Sequence, residues 1–297
     1  MPVVGSLAWY RLDVPVAKLA RPWRYAITAD AELVVAVPTD EALTVGAFDR
    51  AVSAVAFRRA SGGAPARVGP GTVFVSLALA RADALVPSTA AQLLNRYVRP
   101  LLTAITKVTS KPARYFGRDW IAVGNAPVAM IGFGHEAKSG SAVVEAVVSA
   151  KASFAVDVDR PSFRGRSPAV LDVDPNRLAD AILDAYRSRA ETTVTAPLAL
   201  DALEDAAPVG PEPPWQAKVD EAIGVVAAGR DAHGVMRVGG ELMASRDAIA
   251  RLEELLVDER ADVAHAVGEA LSAPGVVTFG VRSLSSIRDA IVSARVI

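Results

Sequence analysis

The residues that could do chemistry are concentrated in one glycine-containing stretch, residues 58–65, which reads RRASGGAP. Arg58 and Arg59 supply permanent positive charge, and the glycines beside Ser61 let backbone amides approach a bound group closely. This combination is suited to hold a carboxylate, a phosphate or an acyl phosphate. An exposed loop with a basic rim has the same composition, so the residues alone leave both interpretations open.

A second stretch, residues 132–137 (GFGHEA), imitates the G-x-G-x-x-A fingerprint of dinucleotide-binding folds. That fingerprint requires a helix immediately after it, whereas residues 141–149 are rich in valine and predict another strand. One acid, Asp157, follows about 20 residues later. The pattern gives weak support to an NAD-binding oxidoreductase, which we keep as a minor alternative.

The composition excludes several kinds of site. The chain of 297 residues has no cysteine, so disulfides, thiolate metal sites and cysteine nucleophiles are excluded. Its three histidines are far apart, which predicts no histidine-based metal site. The 32 basic and 33 acidic residues are interleaved, without the basic footprint of a nucleic-acid-binding protein. No apolar run approaches the roughly 20 residues that cross a bilayer, and the first 15 residues lack the apolar stretch of a signal peptide. We therefore expect a cytoplasmic protein without membrane partners.

Short valine-rich segments separated by glycine and proline predict a sheet in the first part of the chain. The predicted strands are residues 33–37, 73–79, 120–123, 128–133, 143–148 and 154–158. Apolar residues at helical spacing predict a helix over residues 88–105, kinked or broken at Pro100. A further helix is predicted after Asp174, which can cap its first turn, with Pro175 inside that turn.

An acidic, proline-rich segment, residues 201–214 (DALEDAAPVGPEPP), predicts a linker between two domains. The large domain is predicted over residues 1–200 and a smaller one over residues 215–297. The smaller domain has a predicted strand at residues 235–238 and three amphipathic helices, the first capped by Ser245. This content is typical of a small α+β domain.

The stretch RRASGG and several other segments resemble, in order, the motifs of the lipoate–protein ligase and octanoyltransferase family. Residues 58–63 resemble the RR-x-SGGG loop, and residues 43–48 (LTVGAF) resemble the strand-to-turn segment before it. Residues 71–76 (GTVFVS) resemble the G-N-L-x-x-S strand, and residues 117–123 (GRDWIAV) resemble GRNDLLV. Residues 95–97 (NRY) fall in the helix between them, and the block from Gly234 onward, with GGEL at residues 239–242, is similar to the accessory domain of two-domain lipoate ligases. The resemblance implies an α/β (α+β) fold, with a mixed-sheet large domain followed by a small α+β accessory domain.

The resemblance also implies a site and its ligands. The ligand would be lipoate, octanoate or a related acid, with ATP and magnesium as cofactors and a lipoyl-domain or carrier protein as partner. We expect a pocket between residues 58–63 and the strands at residues 117–123 and 128–134, largely apolar with charge at one end. The implied ligand-binding residues are Arg58, Arg59, Ser61, Gly62, Gly63, Asp119, Gly132 and His135.

One departure from the family pattern bears directly on catalysis. The family has G-K-K-I-x-G-x-A after DLLV, and its lysine reaches the acyl carbonyl and the phosphate of the acyl-adenylate. Here residues 124–132 read GNAPVAMIG, with proline or alanine in place of lysine. The third glycine of the loop is Ala64, and residues 65–69 (PARVG) lack the histidine and aspartate of the family's AVYHD. Losing a preplaced charge donor costs on the order of 10²–10³ in rate.

Two hypotheses follow from this departure. The first is a degenerate or repurposed member that binds an acid or its adenylate without ligation, and the missing lysine favours it. The second is an active ATP-dependent acyl-protein ligase or acyltransferase with a substitute residue. Lys138, in the turn predicted after the strand at residues 128–133, is the catalytic candidate. His135, in the same predicted turn, is either exposed or in contact with a phosphate.

Overall fold

The computed structural model describes residues 5–19, 29–51, 55–194 and 205–296. Its strands are β1 (Ser6–Val14), β2 (Ala31–Pro38), β3 (Ala42–Val45), β4 (Phe57–Arg58), β5 (Ala66–Val68), β6 (Thr72–Leu79), β7 (Ala113–Tyr115), β8 (Trp120–Val123), β9 (Ala126–His135), β10 (Ala142–Ser149), β11 (Thr192–Val194), β12 (Ala217–Glu221), β13 (Gly224–Arg230), β14 (Met236–Gly240), β15 (Met243–Ala244) and β16 (Thr278–Phe279). Its helices are α1 (Val16–Leu19), α2 (Leu93–Tyr97), α3 (Arg99–Thr109), α4 (Pro175–Arg187), α5 (Arg246–Leu255), α6 (Val263–Leu271) and α7 (Ser285–Val296). None of these helices is long and apolar enough to cross a membrane.

Within the described residues, eight strands form one mixed sheet in the order β11-β1-β2-β6-β10-β9-β8-β7. β1 pairs in parallel with β11 and β2, and the other neighbours are antiparallel. The central strands β6 and β10 are buried along their whole length. Burial on both faces explains why these strands are continuous apolar runs and do not alternate with polar residues. The sheet confirms the predicted mixed-sheet α/β architecture.

The two faces of the sheet carry different partners. Helices α3 and α4 pack on one face, where Leu101 and Ile182 belong to the same buried cluster as Val75. On the opposite face, Phe74 packs in a second cluster with Phe163. A small sheet, β4-β3-β5, also lies there, since Ala66 and Val68 of β5 belong to the second cluster. The candidate site is built on this second face.

Most predicted elements are present, with two differences. The predicted strand at residues 154–158 is wrong, because only Ala155 makes an isolated bridge, to Ala66, before the chain turns. The predicted helix at residues 88–105 is two helices, α2 and α3, that meet at Val98. Pro100 lies in the first turn of α3, where its missing amide hydrogen has no helical acceptor, so it does not kink a continuous helix.

The helix predicted after Asp174 is confirmed as α4. The Asp174 carboxylate accepts a hydrogen bond from the Arg177 amide at 2.8 Å, as expected of an N-cap. Ser245 occupies the position before α5, but its side chain makes no capping bond. Its hydroxyl is used elsewhere, in the site described below.

The glycines of the dinucleotide-like stretch lie inside a strand. Gly132 and Gly134 belong to β9, and a turn leads directly into the antiparallel strand β10. No helix follows the glycines, so the phosphate-binding turn of a dinucleotide fold does not form. The interpretation of residues 132–137 as a dinucleotide-binding fingerprint, on which the NAD-binding alternative rested, is therefore wrong.

The C-terminal residues form their own small sheets with helices. Strands β12-β13-β14 form an antiparallel sheet, and β15 pairs with β16. Only the strand at β14 was predicted, although the alternation of apolar and charged residues in β12 (AKVDE) was a usable signal. The region contacts the large sheet directly, since the Phe133 and Phe279 rings meet edge to face at 4.7 Å.

The described part of the predicted linker, residues 205–214, packs against the large region. Val209 exchanges backbone hydrogen bonds with Ala56, and the Glu212 carboxylate accepts from the Ala51 amide. Residues 201–204 lie outside the described ranges. Buried apolar side chains on both sides of the linker belong to one cluster. The division into two domains stays a prediction.

Candidate functional site

The arginine–glycine loop lies on the second face of the sheet, against the middle of β9. Ser76, Glu145 and Gly132 are direct neighbours across β6, β10 and β9, and they form a row beneath the loop. A Cβ at Gly132 would lie 2.2 Å from the Ser61 hydroxyl oxygen. The absence of a side chain at Gly132 therefore makes the close contact between loop and strand possible.

Glu145 holds the loop from below. One of its carboxylate oxygens accepts hydrogen bonds from the Ser61 amide at 2.9 Å and from the Ser61 hydroxyl at 2.6 Å. The other oxygen accepts from the Ser76 hydroxyl at 3.3 Å. Glu145 is 1% exposed, so these bonds offset the cost of burying its charge. Sequence reasoning missed this residue, although a single acid inside the valine-rich strand AVVEAVVS was a usable signal.

The two glycines of the loop are also bonded within the protein. The Gly62 amide donates to the Phe133 carbonyl at 2.9 Å, and the Gly63 amide donates to the Leu242 carbonyl at 3.0 Å. A Cβ at Gly62 would lie 1.9 Å from the Leu242 carbonyl oxygen. The close approach predicted for these glycines is present, but the approaching group is the chain's own backbone.

The two arginines of the loop are held in different surroundings. Arg59 is buried, and its guanidinium donates to the Thr44 hydroxyl at 2.8 Å and to the Ala64 carbonyl at 2.7 Å. Burial lowers the pKa of Arg59 to about 10. Arg58 is partly exposed and pairs with Glu212 at 2.6 Å. Arg59 is thus a structural cation, and Arg58 is the arginine that reaches the surface.

Asp119 belongs to a buried ion network that links the large region to the C-terminal region. Arg160 donates from one nitrogen to Asp119 at 2.8 Å, to Glu241 at 2.7 Å and to the Ile223 carbonyl at 3.1 Å. One oxygen of Asp119 and the Nε of Arg160 are buried without a hydrogen-bond partner. Sequence reasoning did not identify Arg160 or the role of Glu241.

Burial dominates the proton affinities of this network. It raises the pKa of Asp119 and raises that of Glu241 to about 7, although the Arg160 guanidinium opposes both shifts. Desolvation disfavours the charged carboxylates more than one shared cation can offset. Glu241 therefore titrates near neutral pH.

His135 and Lys138 lie beside the C-terminal region. His135 is the last residue of β9 and is 2% exposed, so the expectation of an exposed turn is wrong. Its Nδ1 lies 2.9 Å from the Ser245 hydroxyl, and burial lowers its pKa. Lys138 is exposed in the following turn, where its amide donates to the Asp247 carboxylate at 3.0 Å.

An open cleft lies between the turn after β3 and helix α5, with a volume of about 590 Å³. Ten of its sixteen lining residues are charged, so this cleft is not the largely apolar pocket expected between the loop and the strands at residues 117–123 and 128–134, which stays a prediction. Arg58 is the one implied ligand-binding residue that lines it. The lining residues are Ala47, Phe48, Asp49, Arg50, Arg58, Glu136, Glu212, Trp215, Asp231, Arg237, Val238, Arg246, Asp247, Ile249, Ala250 and Glu253.

Several charged side chains that line this cleft form ion pairs with one another. Arg237 contacts Asp231 at 2.9 Å and Glu253 at 2.8 Å. The Arg50 guanidinium lies over the Trp215 ring, 3.9 Å from the ring centroid. The Trp215 indole nitrogen donates a hydrogen bond to the Asp49 side chain at 3.1 Å. Burial raises the pKa of Asp49. The cleft is therefore a preformed polar surface with an aromatic wall.

Magnesium, which the resemblance implies as the companion of ATP, stays a prediction, because a nucleotide-bound Mg²⁺ is held mainly by phosphates and one or two carboxylates. The described residues contain no group of three or more His, Asp or Glu side chains that could hold a metal ion by themselves. The one implied carboxylate, Asp119, has an oxygen paired with Arg160. We derive no step through a metal ion at this site.

Comparison with known proteins gives matches at the level of structure. No protein-family model matches the chain, and no curated protein sequence matches it. P. falciparum LipL1, solved in complex with lipoate, is 10% identical and aligns over 96% of this chain and 98% of that chain, with a TM-score of 0.58. A lipoate-protein ligase A bound with ATP is 15% identical and aligns over 65% of this chain and 90% of that chain, with a TM-score of 0.45. The Leishmania major biotin protein ligase in complex with biotinyl-5-AMP is 13% identical and aligns over 79% of this chain and 98% of that chain, with a TM-score of 0.37. The LipL1 alignment spans both regions of the chain and supports a shared fold.

Proposed function

We propose that this chain, which has the lipoate–protein-ligase fold predicted from its motifs, is a non-catalytic binding protein. The supporting observation is that the loop donors are committed within the protein. Ser61, Gly62 and Gly63 donate to Glu145, Phe133 and Leu242, respectively. An acyl phosphate could occupy this loop only after these bonds were broken, and each buried group left without a partner would cost about 1–3 kcal/mol.

The composition of β9 supports the same proposal. Its ten residues, APVAMIGFGH, include no lysine or arginine. Activating a carboxylic acid with ATP builds negative charge on phosphate and carbonyl oxygens, and a preplaced ammonium stabilises that charge. The described strand offers no such group facing the loop.

The cleft beside Arg58 is the candidate binding site for a carboxylic acid such as lipoate or octanoate. Phe48, Trp215 and Ile249 provide apolar contact area. Arg58 provides positive charge, and its partly exposed ion pair with Glu212 would give way to the ligand carboxylate at a cost of about 1 kcal/mol or less. A ligand with an apolar chain and a terminal carboxylate matches this combination. Binding there does not require the loop bonds to break.

The alternative is an active ATP-dependent ligase or acyltransferase that uses Lys138 and a lipoyl-domain or carrier protein as acceptor. One observation favours it, because the Lys138 amide is bonded to Asp247, which lines the cleft. The flexible lysine side chain therefore begins at the rim of the candidate binding site.

Two assays on the purified full chain test the proposal. In the first, ATP, magnesium, lipoate or octanoate and a lipoyl-domain acceptor are supplied, with a known ligase assayed in parallel. We expect neither pyrophosphate release nor acyl transfer, and turnover comparable to the known ligase would contradict the proposal.

The second assay measures thermal stabilisation by lipoate and octanoate. A ligand at 100 times its dissociation constant stabilises by about 2.7 kcal/mol. We expect Arg58→Ala to remove this stabilisation and Arg67→Ala to keep it, because Arg67 forms only an exposed pair with Glu41, away from the cleft. If neither acid stabilises the wild-type chain, the acid-binding part of the proposal is wrong.

A further inference from the structure

The charges of this chain are unevenly distributed along its sequence. Residues 84–118 contain six basic residues and no acidic residue. An even distribution of the 33 acids would place about four in this stretch. Outside it the chain has 26 basic and 33 acidic residues, a net charge of −7. The basic stretch is therefore a local exception in an acidic protein.

Two of these basic residues, Arg96 and Arg99, lie together on one helical face. Val98, between α2 and α3, keeps a helical conformation with φ −76° and ψ −22°, so the two helices follow one another without a reversal. Residues three or four apart on such a helix are neighbours on its surface. The next exposed positions on this side are Thr103 and Lys107.

A surface depression of about 410 Å³ opens on this face. Tyr115, on the edge strand β7, forms its opposite wall, and no carboxylate of the described residues lines it. The lining residues are Gln92, Asn95, Arg96, Arg99, Leu102 and Tyr115. The depression thus combines amide, guanidinium and phenol donors around one small space.

These donors are not used within the described part of the chain. The guanidinium groups of Arg96 and Arg99 have no hydrogen bond or ion pair with any described residue, and the Tyr115 hydroxyl has no hydrogen bond there. Other arginines near the candidate site, such as Arg58, Arg160 and Arg237, are paired with carboxylates. Two adjacent unpaired guanidinium groups are well suited to bind a carboxylate, which a guanidinium can hold through two parallel hydrogen bonds.

We propose that the surface formed by Gln92, Asn95, Arg96, Arg99 and Tyr115 is a docking site for a carboxylate-rich segment of a partner protein. An acidic side chain of the partner lies between the two guanidinium groups. The surface lies on the helical side of the sheet, opposite the arginine–glycine loop, so it acts independently of the proposed acid-binding cleft.

The charge distribution favours an acidic protein segment over a nucleic acid. A duplex extends well beyond a depression of this size, and its further phosphates would meet the acidic remainder of the chain. At physiological ionic strength, charges separated by more than about 8 Å are largely screened, so a short acidic segment experiences mainly the local arginines.

The test uses a fluorescently labelled octaglutamate peptide as the probe, with binding to the full chain measured by anisotropy at low salt. The double variant Arg96→Glu/Arg99→Glu removes the two unpaired cations. The matched control is Arg189→Glu/Arg260→Glu, which makes the same change in net charge at two other exposed arginines whose side chains have no partner among the described residues. A thermal melt of each variant checks folding, and exposed substitutions of this kind are expected to leave it nearly unchanged.

We expect the Arg96/Arg99 variant to bind the peptide at least about tenfold more weakly than wild type, and the control to bind within about twofold. Equal weakening in both variants would show a non-specific charge effect and overturn the proposal. Absence of peptide binding to the wild-type chain would also overturn it. A labelled 12-base-pair duplex is tested in parallel, and tighter binding of the duplex through the same two arginines would assign the surface to nucleic acid instead.

Discussion

The Gly63 amide nitrogen lies 3.0 Å from the Leu242 carbonyl oxygen, and this hydrogen bond joins the arginine–glycine loop to the C-terminal region. Glycine at position 62 permits the approach, because a side chain there would collide with the same carbonyl. The composition of this loop is suited to bind an anion, but in the structure the loop packs against the C-terminal region.

Substitution of Gly62 by alanine is expected to destabilise the chain. The new Cβ would lie 1.9 Å from the Leu242 oxygen and 3.0 Å from Cδ2 of Phe48. Backbone must move to relieve this overlap, so we expect the free energy of unfolding to fall by about 2 kcal/mol or more. Urea denaturation measures this change.

The control for this substitution is Gly268→Ala in α6. The residue is inside a helix, and apart from that helix's own backbone no heavy atom of the described residues lies within 4 Å of a Cβ built there. Alanine is favoured over glycine in helices by about 1 kcal/mol, so this variant is expected to be more stable than wild type. If Gly62→Ala is as stable as wild type, the tight contact between the loop and Leu242 is wrong.

The contribution of Glu241 to the stability of the chain is expected to fall as the pH rises from about 4.5 to about 7, because burial raises the pKa of Glu241 from 4.5 to about 7. Within this window the native state binds more protons at Glu241 than the unfolded state does, so this contribution to the free energy of unfolding decreases with increasing pH and levels off above the window. The full shift corresponds to at most about 3 kcal/mol.

The contribution of Glu241 is isolated by comparing wild type with Glu241→Gln in urea denaturation between pH 5 and pH 8. The amide does not ionise and can still accept hydrogen bonds, so the variant should lose this part of the pH slope. Glu254→Gln, on an exposed part of α5, is the control and should keep the wild-type slope. An identical slope in wild type and Glu241→Gln would contradict the assigned titration.

Any residual ligase activity is expected to depend on Lys138 and not on Lys151. Lys138 lies in the turn before β10, whereas Lys151 follows the end of β10 and pairs with Asp172 at 2.6 Å. The eight residues of β10 separate the two ends by about 25 Å. Acyl transfer by Lys138→Ala and Lys151→Ala, measured in the assay described above, distinguishes the two lysines.

Neither lysine substitution should change the free energy of unfolding by more than about 0.5 kcal/mol, because both side chains are exposed. If Lys151→Ala abolishes transfer while Lys138→Ala leaves it intact, the assignment of Lys138 is wrong. Full activity in both variants would exclude a catalytic role for either one.

Local sequence patterns predicted several central strands and the main helices, and the order of several motifs predicted the fold. The valine-rich runs became β6, β9 and β10, and the pair Asp174-Pro175 marked the start of α4. These features depend on residues close together in the chain, where helical and strand periods act. The predicted strand at residues 154–158 failed because burial by Phe163, and not backbone pairing, explains the apolar character of Phe154.

The sequence by itself determined that the backbone of residues 58–63 can be approached closely by another chemical group, and that β9 has no lysine. Only the tertiary structure decided what that group is. Ser61 and Glu145 are separated by 84 residues, and Arg160 and Glu241 by 81. No local period encodes such pairs, because they depend on which strands become neighbours and on how the C-terminal region docks. Whether a glycine loop faces an open cavity or the carbonyl of Leu242 is therefore settled by packing between distant segments.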